Sequence, residues 1–301
     1  NQQILFQYHK ALLPTYDIFD EYRYFEPSEF FGICEFKGYR IAITICEDLW
    51  NLGNKNPLYT VCPLDIMITQ SPDLIFNISA SPFAYDHAAE RIEVVRANAI
   101  KYKKPLFYCN AVGAQTDVVF DGGSLVFNAD GSLYDELPYF KELLRTYEVE
   151  KTESPNDRKS GSIEVRKSES QEVQKPTFLP TSGLTDFPTS TGEQPKEKYK
   201  LIHDALLLGI RDYFGKLGFK TAILGLSGGI DSALTATLAV RALGKDQVSG
   251  LMMPSRFSSR GSVDDAVQLA KNLGIHYEII EIEPMYEQFL KQLSPILLDK
   301  P

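Results

Sequence analysis

A long polar stretch in mid-chain decides what the rest can fold into. From 146 to 195, Lys, Glu, Ser, Thr and Pro dominate, large apolar residues are sparse, and no periodicity persists. Such a segment cannot bury enough apolar surface to offset the entropy of ordering it. It reads as a polar linker or long surface excursion, and no core element is expected there. The 301 residues should then form two domains, 1–145 and 196–301, each near the usual domain length of about 100–200 residues. With 44% hydrophobic and 24% charged residues, each part can bury a core of its own.

Both parts alternate strand and helix signals. In the first, the β-branched run Gly38 to Cys46 and the run Asp73 to Ser79 predict strands. Ala89, Ile92, Val95, Ala99 and Tyr102 fall at helical spacing within 86–104, with Pro105 as the stop. Leu106 to Asn110 and Ser124 to Asn128 supply further strands. In the second, Ile202, Leu206, Ile210, Tyr213 and Leu217 form a helical stripe ending at Gly218. Strands at 221–226, 248–252 and 277–282 then enclose helices near 231–243 and 263–273. That βαβαβ order predicts a doubly wound parallel sheet with ligands beyond the strand C-termini. The fold class is α/β throughout.

The net charge of −9 argues against a nucleic-acid surface, which needs a concentrated basic face. Cys34, Cys46, Cys62 and Cys109 show no paired spacing, so neither a disulfide framework nor a zinc site follows. Reduced thiols suit a cytoplasmic protein. No apolar run reaches the roughly 18 residues of a membrane span. The chain opens without Met and stops at Pro301 inside a βα pattern, so it is expected to be a piece of a longer polypeptide.

Gly225-Leu226-Ser227-Gly228-Gly229-Ile230-Asp231-Ser232 lies between an apolar strand and a helix start. Two glycines let the backbone approach a ligand closely, and a helix N-terminus adds about half a positive charge. Ser227 and Ser232 can donate hydroxyl hydrogens to phosphate oxygens. Asp231 is out of place beside an anion unless a divalent cation bridges the two. A plain turn with Asp231 or Ser232 capping the helix is the alternative. The pattern is similar to the PP-motif of the ATP pyrophosphatase superfamily and lacks the Gly-Lys-[Ser/Thr] of a Walker loop. The resemblance implies ATP cleavage between the α- and β-phosphates and adenylation of a substrate. Met253-Pro254-Ser255-Arg256-Phe257-Ser258-Ser259 further resembles a stretch of glutamine-dependent NAD⁺ synthetases, in which Arg256 either faces the nucleotide or is a solvated loop arginine.

Cys46 closes an apolar strand and is followed by Glu47-Asp48-Leu49-Trp50. A thiol placed at a strand C-terminus faces a cleft, and nucleophilic use needs a nearby cation or base. Lys10, in Lys10-Ala11-Leu12-Leu13-Pro14-Thr15-Tyr16, is a candidate cation, although taken alone it is a surface lysine. Together the two resemble the nitrilase superfamily, whose triad runs Glu, Lys, Cys. The run Ile45 to Trp50 looks like the glutaminase domain of NAD⁺ synthetases, and Asn77 to Phe83 and Phe120 to Ser124 agree. The resemblance covers 1–145 and 196–301. It implies a nitrilase-like α-β-β-α sandwich followed by a Rossmann-like domain of the adenine nucleotide α-hydrolase type.

The roles follow from the resemblance. Cys46 would attack the glutamine amide, and Lys10 would steady the oxyanion. The general base would be a glutamate upstream of Lys10; Glu21 lies after the lysine and does not match it. A chain lacking that glutamate would be a poor glutaminase. Tyr16, Glu47 and Ser81 would grip glutamine, packing and capping being the alternative for Tyr16 and Ser81, while His87, in the same site, stands where the family tends to carry Lys or Arg. Fused, the halves would amidate deamido-NAD⁺ to NAD⁺ with ATP and Mg²⁺, in a homo-oligomer. The rivals are another PP-loop amidotransferase-ligase and a catalytically incomplete fragment or assembly subunit.

Overall fold

The computed structural model describes residues 3–152, 162–171 and 193–297. It contains two compact units, Asn1–Lys175 and Pro176–Pro301.

In the first unit, β1 (Cys34–Phe36) turns into β2 (Tyr39–Ile45) through Lys37 and Gly38, both at positive φ. That is the hairpin turn whose twist matches the flanking strands. A short helix, α1 (Pro63–Met67), leads to β3 (Leu74–Ser79), and α2 (His87–Tyr102) leads on to β4 (Leu106–Asn110). The crossovers make β2, β3 and β4 parallel. A small hairpin follows, β5 (Val112–Gln115) with β6 (Val118–Asp121), and then β7 (Leu125–Phe127) and β8 (Leu133–Glu136). The main sheet runs β1-β2-β3-β4-β7-β8. Residues 87–102 form the expected helix, which ends at Lys103 in the left-handed region, two residues short of Pro105.

Strand alternation sends neighbouring side chains to opposite faces. Leu106 and Tyr108 point into the core with Ala42, Ile75, Val95, Ala99, Leu64 and Met67. Phe107 and Val126 point the other way and meet Val165. That residue belongs to a second hairpin, β9 (Leu144–Thr152) with β10 (Ser162–Gln171). The hairpin falls inside the stretch read as a linker, where no core element was expected. Tyr147 and Val149 also pack against that second face. A short period-two pattern was present among the charges, Tyr147 and Val149 in one strand and Ile163 and Val165 in the other, and the mean polarity masked it. Within the stretch read as a linker, 153–161 and 172–192 lie outside the described residues.

One buried ion pair ties α2 to β6. Arg91 donates to both oxygens of Asp121 at 3.0 and 2.9 Å, with the two side chains 1% and 2% exposed. Asn110 donates to the same carboxylate.

In the second unit, α3 (Glu193–Leu217) stops at Gly218, φ +74°. Then β11 (Ala222–Gly225), α4 (Ile230–Leu243), β12 (Val248–Met252), α5 (Arg260–Leu273) and β13 (His276–Ile279) follow in the expected βαβαβ order. The strands are parallel, in the order β11-β12-β13. Leu226, Ala236, Val240, Val248, Met252, Ala266, Ala270 and Ile275 form the core. A last helix, α6 (Glu283–Leu297), is an addition to the sequence reading, which ended the ordered elements at the third strand. Both units are α/β, as expected.

Candidate active site

The parallel strands β2, β3 and β4 end at one edge of their sheet, and polar side chains collect there. Cys46 follows β2 directly and adopts φ +45°, a left-handed conformation that is rare for a residue with a Cβ. A tight 3₁₀ turn, Cys46–Leu49, then turns the chain away. Asn77, fully buried on β3, donates to the Cys46 carbonyl at 3.3 Å and to Thr44 Oγ1 at 2.9 Å. Ser79 donates to Asn77 Oδ1 at 2.7 Å. The strained turn is thus braced by the neighbouring strand.

Burial pushes the Cys46 thiol above its ordinary pKa. The Lys10 charge, the Ser79 hydroxyl and the Ala80 N–H favour the thiolate, and the Glu47 charge opposes it. Desolvation wins, so the resting group is a thiol and needs a base to become a nucleophile. Lys10 is mostly buried and pairs with Glu21 at 2.6 Å. The sequence reading set Glu21 apart from the expected base; the structure places it on the lysine.

Glu47, 4% exposed, is held from both sides. Tyr16 donates to Oε2 at 2.9 Å and Tyr59 to Oε1 at 2.8 Å. Burial pushes the Glu47 carboxyl up while both hydroxyls and Lys10 pull it down. Ser81 is buried, its N–H donating to Asn110 Oδ1 at 2.9 Å. Its hydroxyl faces the buried Tyr108. His87 opens α2 with its ring 5.3 Å from that of Trp50. Of the residues singled out from sequence, Cys46, Lys10, Glu47 and Tyr16 converge. His87 is set against an aromatic ring.

Sequence reasoning gave no role to Asp48, Tyr59, Asn77 or Ser79. Asp48, Asn77 and Ser79 stood within quoted motifs, and a carboxylate two residues past a nucleophile was a usable signal. Tyr59, in a polar loop, offered none.

In the second unit, Leu226 is buried behind β11, while Ser227, Gly229, Ile230 and Asp231 are exposed. Gly228 has φ +81°, and a Cβ there would sit 2.2 Å from the Ser262 carbonyl oxygen. Only glycine fits. Gly225 has no such restriction, its nearest neighbour for a Cβ being the Met253 methyl at 3.8 Å. Ala233 N–H donates to Gly229 O at 3.1 Å, so the amides of Ile230, Asp231 and Ser232 precede the intrahelical ladder and aim off the end of α4. Ser227 N–H donates to Ser232 Oγ, and Gly229 N–H to Ser227 Oγ. The two hydroxyls lie 3.1 Å apart. The loop folds on its own hydroxyls, which hold the amides an anion would take over. Arg256 is not free in solvent: it pairs with Glu283 and, at 2.9 Å, with Glu287, over the Tyr286 ring. Among the described residues, no cluster of three or more His, Cys, Asp or Glu is set to hold a metal. No helix of the described residues is long and apolar enough to cross a membrane.

A family described as NAD synthase matches residues 202–297. Over 99% of its length the chain is 40% identical to a glutamine-dependent NAD(+) synthetase of Synechocystis sp., covering 49% of that protein. A Thermotoga maritima relative of the same name is 35% identical over 98% of the chain, which covers 50% of it. The solved glutamine-dependent NAD⁺ synthetase of Acinetobacter baumannii, in complex with ADP, superposes with a TM-score of 0.73 at 28% identity. That likeness covers 99% of this chain and 49% of the other. The chain spans about half the length of the curated relatives it matches.

Proposed function

We propose, from the homology of this chain to glutamine-dependent NAD⁺ synthetases along 99% of its length, that it takes part in amidating deamido-NAD⁺ to NAD⁺. Glutamine supplies the nitrogen and ATP activates the carboxylate. The observation that carries the reading is the braced thiol at the end of β2, with Lys10 beside it, in one chain with a strand–Gly-Gly–helix loop.

Cys46 attacks the side-chain amide carbon of glutamine. A carbon–sulfur bond forms, the carbon–nitrogen bond breaks, and ammonia leaves, after which water releases glutamate from the thioester. The thiol proton must go to a base, since burial keeps the resting group protonated. Lys10 faces the developing oxyanion, a charge interaction commonly worth several kcal/mol in a dry site. Glu47, oriented by Tyr16 and Tyr59, takes the substrate ammonium, and Ser81 and His87 line the remainder of the glutamine site.

At the second site the nicotinate carboxylate of deamido-NAD⁺ attacks the α-phosphate of ATP and expels pyrophosphate. Ammonia then displaces AMP from the acyl adenylate. Gly225, Leu226, Ser227, Gly228, Gly229, Ile230, Asp231 and Ser232 form the phosphate loop. The exposed Asp231 carboxylate beside the helix-end amides suits Mg²⁺, which takes one or two carboxylates together with phosphate oxygens and water. Bound there, the ion would neutralise phosphate charge. A cytoplasmic location and self-association belong to the same proposal, the four free cysteines being consistent with a reducing compartment.

Supplied with deamido-NAD⁺, MgATP and glutamine, the protein is expected to produce NAD⁺, AMP and pyrophosphate. Failure to form NAD⁺ with glutamine and with free ammonium alike would end the proposal. ATP–pyrophosphate exchange that answers to xanthylate instead would point to another ligase of the same loop type.

A further inference from the structure

The Lys10 segment and the Cys46 turn are distant in sequence, and a single buried carboxylate joins them. Asp48, 1% exposed, accepts through Oδ1 from the N–H groups of Ala11 and Leu12, at 3.0 and 2.9 Å. Through Oδ2 it accepts from the Ile45 N–H at 2.9 Å and the Tyr8 hydroxyl at 3.3 Å. Four donors fill the lone-pair sites of an ionised carboxylate. Ala11 directly follows Lys10, and Ile45 directly precedes Cys46. The same carboxylate therefore grips the backbone on the flank of each candidate reactive residue.

We propose that Asp48 is the positioning residue of the thiol site, clamping the Lys10 segment to the end of β2 so that the ammonium stays beside the Cys46 sulfur. Neutral replacements cannot reproduce the clamp. An amide offers one acceptor oxygen and turns two N–H donors toward a ring of donors. Burial pushes Asp48 up to about 6, held down from going higher by the amides of Ile45, Leu12 and Ala11 and by Lys10. It is therefore ionised, and the clamp closed, at neutral pH. Lys10 in turn pairs with Glu21. The ammonium has a carboxylate partner at its tip and a carboxylate anchor at its backbone.

The role rests on the glutaminase reading only where turnover is measured. Alkylation of Cys46 by iodoacetamide tests it without any substrate, because the rate follows the thiolate fraction. Cys46 is identified as the alkylated site by peptide mass mapping. In Asp48→Asn the rate at pH 7 is expected to fall about tenfold and its pH midpoint to rise, with near-native circular dichroism. Lys10→Met is expected to do the same, and the double variant to fall no further, since a positioning residue acts through the group it positions. An unchanged titration in folded Asp48→Asn, or fully additive losses in the double variant, would overturn the proposal. Tyr8→Phe removes one donor and leaves all three backbone contacts. It should move the midpoint in the same direction by less, and decides the matter if Asp48→Asn does not fold. Altered alkylation in Asp48→Asn leaves the clamp standing whatever glutamine turnover the wild type shows, so failure of the clamp and failure of the glutaminase reading are told apart.

Discussion

The thiol site proposed at the edge of the first unit and the phosphate loop proposed in the second face different physical problems, and they are built from different parts. At the end of β2 the working groups are side chains drawn from several separated segments, most of them buried. Glu47 takes two tyrosine hydroxyls, Asp48 four donors, and Asp121 a bidentate arginine. At the end of β11 the working groups are backbone amides over a few consecutive residues, exposed and held by two serine hydroxyls. A thiol that must lose a proton in a dry place needs fixed charges around it. An anion that arrives with its own charge needs only donors and room. In the first region a side chain removed should be costly, in the second a side chain added.

Cys46→Ala is the largest test of that contrast. Glutamine hydrolysis should fall by about 10⁴-fold or more, read as ammonia release. Ammonium-supported NAD⁺ synthesis should persist, because that route takes its nitrogen from solution and needs no thiol. Loss of both activities together would break the separation. Next comes Arg91→Met, which strands Asp121 beneath α2. Uncompensated buried charges of this kind cost about 3–5 kcal/mol, so denaturant melts should show the first unit unfolding early and the second unchanged. Smaller again is Gly228→Ala. Its methyl meets the Ser262 carbonyl at 2.2 Å, on a backbone of positive φ. A loss of about 1–3 kcal/mol is expected, confined to the second unit and accompanied by weaker nucleotide binding. Normal nucleotide binding by that variant would remove the backbone account of the loop.

The same contrast explains what could be read from the sequence. The second region is local: strand, glycines and helix start lie within one short run, so residues 225–232 and the βαβαβ order were legible together. Gly228 could be read as a turn glycine, but not its contact with Ser262, which only the packing of α5 decides. The first region is nonlocal. Cys46, Lys10, Tyr16 and Glu47 were reachable because each sits in a distinctive run and a family resemblance linked the runs. Tyr59 and the Glu21–Lys10 pair depend on where loops land, and no periodicity reports that. The β9–β10 hairpin was missed for another reason. Tyr147, Val149 and Val165 carry its packing among many charges, so composition suggested a linker while alternation, the weaker signal over short strands, pointed to a sheet.

Tyr59→Phe gives the smallest effect and the finest resolution. Tyr16 and Tyr59 each occupy one oxygen of the Glu47 carboxylate, and each hydroxyl lowers the pKa that burial raises. A carboxylate whose folded pKa is raised is more often neutral as pH falls, and removing one hydroxyl raises it further. If Glu47 takes the substrate ammonium, the variant should therefore bind glutamine more weakly, and increasingly so toward acidic pH. A hydrogen bond to a charged group is worth about 1.5–3 kcal/mol, less at a partly exposed tyrosine, so KM should rise about tenfold or less with kcat nearly unchanged. Loss in kcat at constant KM would instead put Tyr59 in the chemistry, through the Cys46 turn that begins one residue before Glu47. Tyr16→Phe should match Tyr59→Phe in direction, because the two hydroxyls are equivalent on the carboxylate. A large difference between them would mean that Tyr16 also touches substrate directly, and the thiol site would then be built less symmetrically than its hydrogen bonds suggest.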